Sequence, residues 1–217
     1  MISDMLKKIF DLFFYNENYC FFCKEEKIYK NFLCKNCIDR LIKYDVEIYN
    51  DYDEKNLKKE IIYYYKSDIK NKIREFKFKD GIYLKKPFAS LIYDFLDKKL
   101  LEKIDYIAYV PSSKKKLILR GYNHCKLLAI EISKYSNKPI FENLKKIKNT
   151  KSQHFLSLEE RRINLKNAFE VDVDLTKKKI LLIDDIHTSG STVYECYKEL
   201  KRKNCEFVWI VCLCGVM

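Results

Sequence analysis

The sequence predicts an α/β protein, a twisted and mostly parallel sheet with helices on both faces, fronted by a small four-cysteine module. Three observations predict it. Residues 105–110 and 180–183 are short, evenly apolar runs, too short for amphipathic helices, and such runs mark strands buried on both faces of a parallel sheet. Each run gives way to a polar connection and then to a stretch of helical spacing, the order from which parallel sheets are built. Ahead of both, four of the nine cysteines fall in two C-x2-C pairs. A length of 217 residues allows one domain of ordinary size plus a small appendage, and 47% hydrophobic content is enough for a core.

In chain order, residues 1–14 (MISDMLKKIFDLFF) do not form a signal peptide, because Lys7, Lys8 and Asp11 interrupt the apolar core and no small-residue cleavage site follows. Met5, Leu6, Ile9, Phe10, Phe13 and Phe14 share one helical face, suited to docking on the protein or to lying on a membrane surface. No segment approaches membrane-spanning length, and the expected location is the cytoplasm. Cys20 pairs with Cys23, and Cys34 with Cys37. Each C-x2-C turn aims two thiolates at one ion, and two such turns complete a tetrahedral zinc site, one zinc per chain. With no ligand position left open its role is structural, and a module this small depends on its metal to fold. A disulfide framework is disfavoured in a reducing cytosol. Cys125, Cys196, Cys205, Cys212 and Cys214 show no pairing and read as core thiols.

The charged stretch 45–59 lacks apolar periodicity and reads as a linker, which places the helix and metal module in 1–50 and the main domain in 51–217. A strand at 61–65 follows, then a helix at 68–78 stopped by Gly81 in C-cap position, and another at 84–100 with Pro87 in its first turn. The strand at 105–110 ends at Pro111 and leads into SSKKKLILRGYNH and a helix at 125–135. That connection reads as a basic loop: Ser112, Ser113, Lys114, Lys115, Lys116 and Arg120 suit a highly charged anion, and Gly121 permits a sharp return. A merely solvated Lys-rich loop is the alternative. Further on, Ser157-x-x-Glu160 is a capping box opening a short helix that carries Arg161, Arg162 and Asn164.

The most informative stretch is 180–192, ILLIDDIHTSGST. The apolar run delivers Asp184 and Asp185 to the carboxyl end of a buried strand, where ligands of open α/β sheets bind. Thr188, Ser189, Gly190, Ser191 and Thr192 then form a hydroxyl loop feeding a helix amino terminus, so backbone N–H groups and hydroxyls converge on one anion. A Walker loop needs a Lys before its final Ser/Thr and more glycine, and has neither here. His187 lies in this stretch without an evident role.

Acid pair, hydroxyl loop and helix in this order resemble the PRPP-binding motif of the type I phosphoribosyltransferases. The resemblance implies that Asp184 and Asp185 hold the ribose 2- and 3-hydroxyls and that the loop 188–192 holds the 5-phosphate. Carboxylates accept two hydroxyl protons, and Gly190 lets the backbone close over phosphate. Taken with the other segments, the chain resembles the ComF competence family, which joins a four-cysteine zinc module to a phosphoribosyltransferase domain. Val110, Pro111, Arg120, Gly121, Tyr122 and Asn123 match its VP…RG[FY]N pattern, and Gln153, Leu156, Arg161, Asn164, Ala168 and Phe169 match its Q-x-x-L-x4-R-x-x-N-x3-AF pattern. His124 stands where the family has Gln, and His187 where an apolar residue is common.

The resemblance implies the type I phosphoribosyltransferase fold, PRPP and magnesium as ligands, pyrophosphate held by the loop after the first strand, and a cover over the site carrying Gln153, Arg161 and Asn164. It implies a phosphoribosyltransferase acting on an acceptor the sequence does not identify, with magnesium, Lys114, Lys115, Lys116 and Arg120 neutralising the leaving pyrophosphate. It also implies a part in natural transformation: handling single-stranded DNA at the inner membrane beside a helicase-like partner. The formal charge of +12 suits an anionic partner, although Lys dominates the basic residues throughout. Interleaved aromatics and cations at 63–66 and 76–79 suit base stacking and phosphate tracking, and equally suit a core. A soluble nucleotide-salvage transferase and a zinc ribbon acting only in protein docking are the other two readings.

Overall fold

The computed structural model describes residues 18–46, 56–148, 150 and 158–216. The amino-terminal helix expected over 5–14, Gln153, His154 and the Ser157 capping position lie outside these residues.

The main sheet has four strands: β1 (Leu57–Tyr64), β2 (Tyr106–Tyr109), β5 (Lys179–His187) and β6 (Phe207–Gly215), numbered with β3 (Leu144–Lys146) and β4 (Phe169–Val171), which form a separate antiparallel pair. The order is β1-β6-β5-β2 and every pairing is parallel. Side chains alternate between faces along β5 and β6. Ile180, Leu182, Val208 and Ile210 belong to one hydrophobic cluster, and Leu181, Ile183, Trp209 and Val211 to the other. Both faces are covered, and so these strands read as continuous apolar runs.

One face carries α2 (Ser67–Lys77), α3 (Lys85–Phe95) and α6 (His124–Ser136), seated by Ile69, Ile73, Phe76, Phe88, Leu128 and Ile132. The other carries α7 (Leu158–Leu165) and α8 (Ser191–Arg202), seated by Leu165, Val193, Cys196, Tyr197 and Leu200. The cysteine module, with its short helix α1 (Lys35–Asp39), shares the first cluster: Phe22 packs edge-on against Phe88, and Arg40 pairs with Asp68 at 3.1 Å. Ile42 O accepts from Tyr64 N and Tyr44 N donates to Ile62 O, both at 2.9 Å, so the end of the module runs antiparallel beside β1. No described helix is long and apolar enough to cross a membrane.

Several elements differ from expectation. β1 starts at Leu57 and takes in the end of the expected linker, because an outer strand tolerates charge: Lys58 lies over the Trp209 ring and Glu60 accepts from its indole N–H at 2.6 Å. The single helix expected at 84–100 is two, α3 and α4 (Lys98–Glu102), since Asp97 caps the second by accepting from Leu100 N at 2.9 Å. Gly81 is not the cap of α2, which ends at extended Phe78. It lies in a 3-10 turn (Lys79–Leu84) where a Cβ would fall 2.2 Å from the Glu75 carbonyl oxygen. The connection after β2 is no open loop: Lys114–Arg120 form a helix, α5, between the N-cap Ser113 and Gly121 at φ 80°.

Candidate functional site

The carboxyl ends of β2 and β5 lie side by side, with Tyr109 opposite Ile183 and Val110 N donating to Ile183 O at 3.0 Å. From β2 the chain leaves through α5 and α6 to residues 139–141, which bridge Ile107 on the outer side. From β5 it leaves through α8 to β6 on the inner side. Connections that diverge between neighbouring parallel strands open a crevice, the usual ligand position of such sheets.

The acid pair stands at that crevice, inside β5, which continues to His187. Asp184 and Asp185 are 8% and 5% exposed. Asp184 Oδ1 accepts from Asp185 N at 2.9 Å and from Cys125 Sγ at 3.4 Å, so Cys125 is more than a core thiol. Asp185 Oδ2 lies 2.6 Å from Lys77 Nζ and 3.3 Å from His124 Nε2. Arg120 Nη1 lies 3.4 Å from His124 Nδ1. A guanidinium only donates, so Nδ1 must accept and the His124 proton sits on Nε2, facing Asp185.

These contacts split the pair. Burial and the Asp185 charge push the Asp184 carboxyl up to about 7. Burial would raise Asp185 as well, but Lys77 and His124 outweigh it and hold that carboxyl well below the usual carboxylate range. Burial lowers His124 despite Asp185, in keeping with a neutral ring. His124, Cys125 and Asp185 bring donor atoms within 4.8 Å of one another. With the Lys77 ammonium already on Asp185, this trio reads as a charge network.

Beyond the acids, Thr188, Ser189 and Gly190 make the turn, and α8 begins at Ser191, so Ser191 and Thr192 are helical. Gly190 has φ 72°, and a Cβ there would fall 2.7 Å from His187 Nε2, a residue-specific reason for glycine. Ser189 and Ser191 hydroxyls lie 2.9 Å apart. The amino terminus of α8, twelve residues long, has no side-chain cap. A pocket lined by Asp184, His187, Thr188, Gly190 and Thr192 lies at this end. His187 is held neutral, with burial and Lys59 lowering it to about 4.

On the β2 side, Ser112 and Ser113 are half-buried, Lys114, Lys115 and Lys116 are exposed on α5, and Arg120 stacks over Phe78 at 5.4 Å. Of the aromatic and cationic stretches, Tyr64 and Phe76 are buried while Phe78 is exposed, and Lys77 turns to the acids. Asn164 lies on α7, half-buried, and Arg161 lies on the same helix. Lys77, His124 and Cys125 are site residues that the sequence motifs did not mark as such. His124 adjoins a matched motif, but Lys77 has no local signal.

The four module sulfurs, of Cys20, Cys23, Cys34 and Cys37, all lie within 4.8 Å of one another. Cys20 Sγ accepts from Phe22 N and Cys34 Sγ from Cys37 N, each at 3.4 Å, while Arg40 donates to Cys37 Sγ at 3.3 Å. Sulfurs about 2.3 Å from a tetrahedral zinc lie roughly 3.8 Å apart, the separation of Cys23 Sγ and Cys34 Sγ at 3.8 Å, so this cluster can hold the ion.

No protein-family model matches the chain. It is 30% identical over 200 residues to competence protein F of Haemophilus influenzae, covering 88% of this chain and 82% of that protein. DNA utilization protein YhgH of Escherichia coli O157:H7 is 35% identical over 118 residues, 54% of this chain and 52% of that one. Competence protein ComFC of Bacillus subtilis is 28% identical over 144 residues, 65% and 57% of the two chains. Among solved structures, a purine phosphoribosyltransferase from Pyrococcus horikoshii is similar with a TM-score of 0.39 and 17% identity, covering 61% of this chain and 73% of that one. The molecule is thus a parallel α/β protein with a crevice at the carboxyl ends of β2 and β5 and a four-cysteine cluster ahead of them. The chain belongs to the ComF competence family.

Proposed function

We propose that this chain is a PRPP-binding, phosphoribosyltransferase-like protein acting in DNA uptake. The observation that carries the reading is the acid pair and hydroxyl loop on the end of β5, beside the end of β2 where the connections diverge. One oxygen of each carboxylate is committed inside the protein, by Cys125 and by Lys77 with His124, and this reading assigns the other to a ribose hydroxyl. Thr188, Ser189, Ser191 and Thr192, with the amide groups opening α8, take the 5-phosphate. Lys114, Lys115, Lys116 and Arg120 face the pyrophosphate, and Gln153, Arg161 and Asn164 cover the site.

Magnesium bound with PRPP neutralises pyrophosphate charge, and the protein's part is to orient the ribose and exclude water. The four cysteines hold one structural zinc. Single-stranded DNA binds through the Lys-rich surface, beside a helicase-like partner and peripherally at the inner membrane. The names of the relatives support the DNA side of this reading. Free-base turnover with PRPP would favour a salvage transferase instead.

Calorimetry with PRPP and magnesium tests the site: wild-type protein binds, and Asp184→Asn, which keeps shape and removes charge, weakens binding by about 10- to 100-fold. Unchanged affinity would refute the assignment. Elemental analysis should find one zinc per chain. A gel shift should retain single strands at low salt and lose them steeply as salt rises.

A further inference from the structure

The basic group nearest the acid pair comes from neither ligand loop. Lys77 is the last residue of α2, a helix from the opposite end of the domain sequence, and its Nζ lies 2.6 Å from Asp185 Oδ2 with the side chain 20% exposed. Little freedom is left to it. Ile69, Ile73 and Phe76 bury the inner face of α2, Arg40 pairs with Asp68 at its start, and the Tyr122 hydroxyl donates to the Phe76 carbonyl at 2.5 Å at its end. The ammonium also sits at the carbonyl end of its own helix, where positive charge is favoured.

We propose that Lys77 is a positioning residue for the acid pair: it holds Asp185 by one carboxylate oxygen, so that a ligand's two hydroxyls meet an unequal pair, Asp185 fixed and Asp184 adjustable. Two adjacent buried carboxylates repel, and without a cation one of them must take up a proton. Lys77 decides which. It lies against Asp185, with His124 from α6 on the same oxygen, while among the described residues Asp184 receives Asp185 N and the Cys125 thiol. The other groups turned toward Asp184 do not alter this assignment: Cys196 on α8 and Cys212 on β6 are held as neutral thiols by burial, and Lys116 lies exposed on α5, where solvent screens its charge. The directions of the two carboxyls, Asp184 up and Asp185 down, agree with this assignment. Environments that push paired acids apart divide their roles.

The inference rests on the diol-binding reading, and its first test needs no ligand. Carboxyl carbon resonances of the two aspartates are followed against pH in the free wild type and in Lys77→Met and Lys77→Arg. The wild type gives two separated inflections. In Lys77→Met the Asp185 inflection rises by more than about one pH unit and the two steps are shared between both carboxyls, and Lys77→Arg restores the low step to Asp185. An Asp185 inflection that stays in place in Lys77→Met overturns the proposal. Lys77→Gln, which keeps a donor without charge, is read in the same way if Lys77→Met does not fold. The second arm is calorimetry with PRPP and magnesium: Lys77→Met weakens binding at least about tenfold and Lys77→Arg less than about threefold. Wild type that binds nothing sinks the PRPP reading while the titration still decides on Lys77. Wild type and Lys77→Met binding alike sinks the positioning role alone.

Discussion

The two strands that meet at the crevice end in contrasting ways. β5 delivers its functional groups buried and already partnered: Asp185 is held by Lys77 and His124, and the loop runs at once into α8, anchored by Val193, Cys196, Tyr197 and Leu200. β2 delivers its groups on α5, a seven-residue helix without a single buried residue, with Lys114, Lys115 and Lys116 exposed and Ile118 85% exposed. One half of the site is therefore packed into the core, and the other is a capped helix whose charged groups face water. A preformed half costs stability in the free protein and little on binding, and an exposed half does the reverse.

Mutations separate the halves, beginning with the largest effect. Asp185→Ala leaves Lys77 buried without its carboxylate, and should cost about 3–5 kcal/mol of stability, lowering the melting temperature by roughly 10 °C in calorimetry. A drop under about 2 °C would mean the β5 end is not pinned. Asp184→Asn acts through pH. Because the Asp184 carboxyl is raised in the folded protein from 3.8 to about 7, the folded state binds more protons, so its contribution is full below pH 4 and is lost as pH rises toward 7. The wild-type melting temperature should thus fall relative to Asp184→Asn across that window, and parallel curves would show that Asp184 ionises normally. Asp185, lowered, has the opposite sign: its contribution is present above the unfolded value and is lost below it.

On the β2 side, replacing Lys114, Lys115 and Lys116 together by Ala should shift the melting temperature by about 2 °C or less, yet flatten the salt dependence of anion binding and weaken PRPP about tenfold. A large stability loss would show that α5 is packed after all. Ile118→Ser, the smallest change, should leave stability within about 0.5 kcal/mol by chemical denaturation.

The β5 half was legible because its chemistry is local: strand, acids, hydroxyls, glycine and helix follow one another in thirteen residues. The apolar run alone ends the strand at the acids, and pairing with β6 carries β5 on to His187. Lys77 was illegible for the opposite reason. It lies more than a hundred residues from Asp185 in a stretch of alternating aromatics and cations, and only the seating of α2 on the sheet brings it there. Helix α5 has visible brackets, a Ser at the N-cap and a Gly after the last turn, but its lysines read as a charge feature before they read as helix formers. Gly81 shows the limit of punctuation rules: its lack of a side chain serves a close approach to the Glu75 carbonyl, which no spacing announces.

The hydrogen bonds between residues 42–44 and β1 bear on how the protein can be divided. β1 is the last strand on its side of the sheet, and outside it Ile42 and Tyr44 take backbone groups that would otherwise face water. A chain cut at residue 51 would lose this cover along with the cysteine cluster. It would present an open strand edge, with Ile61 and Ile62 beside it, to any other extended segment, and such edges recruit one another into aggregates. The cysteine module thus also covers the edge through which the sheet could self-associate, and the main domain expressed alone should aggregate more readily than the whole chain.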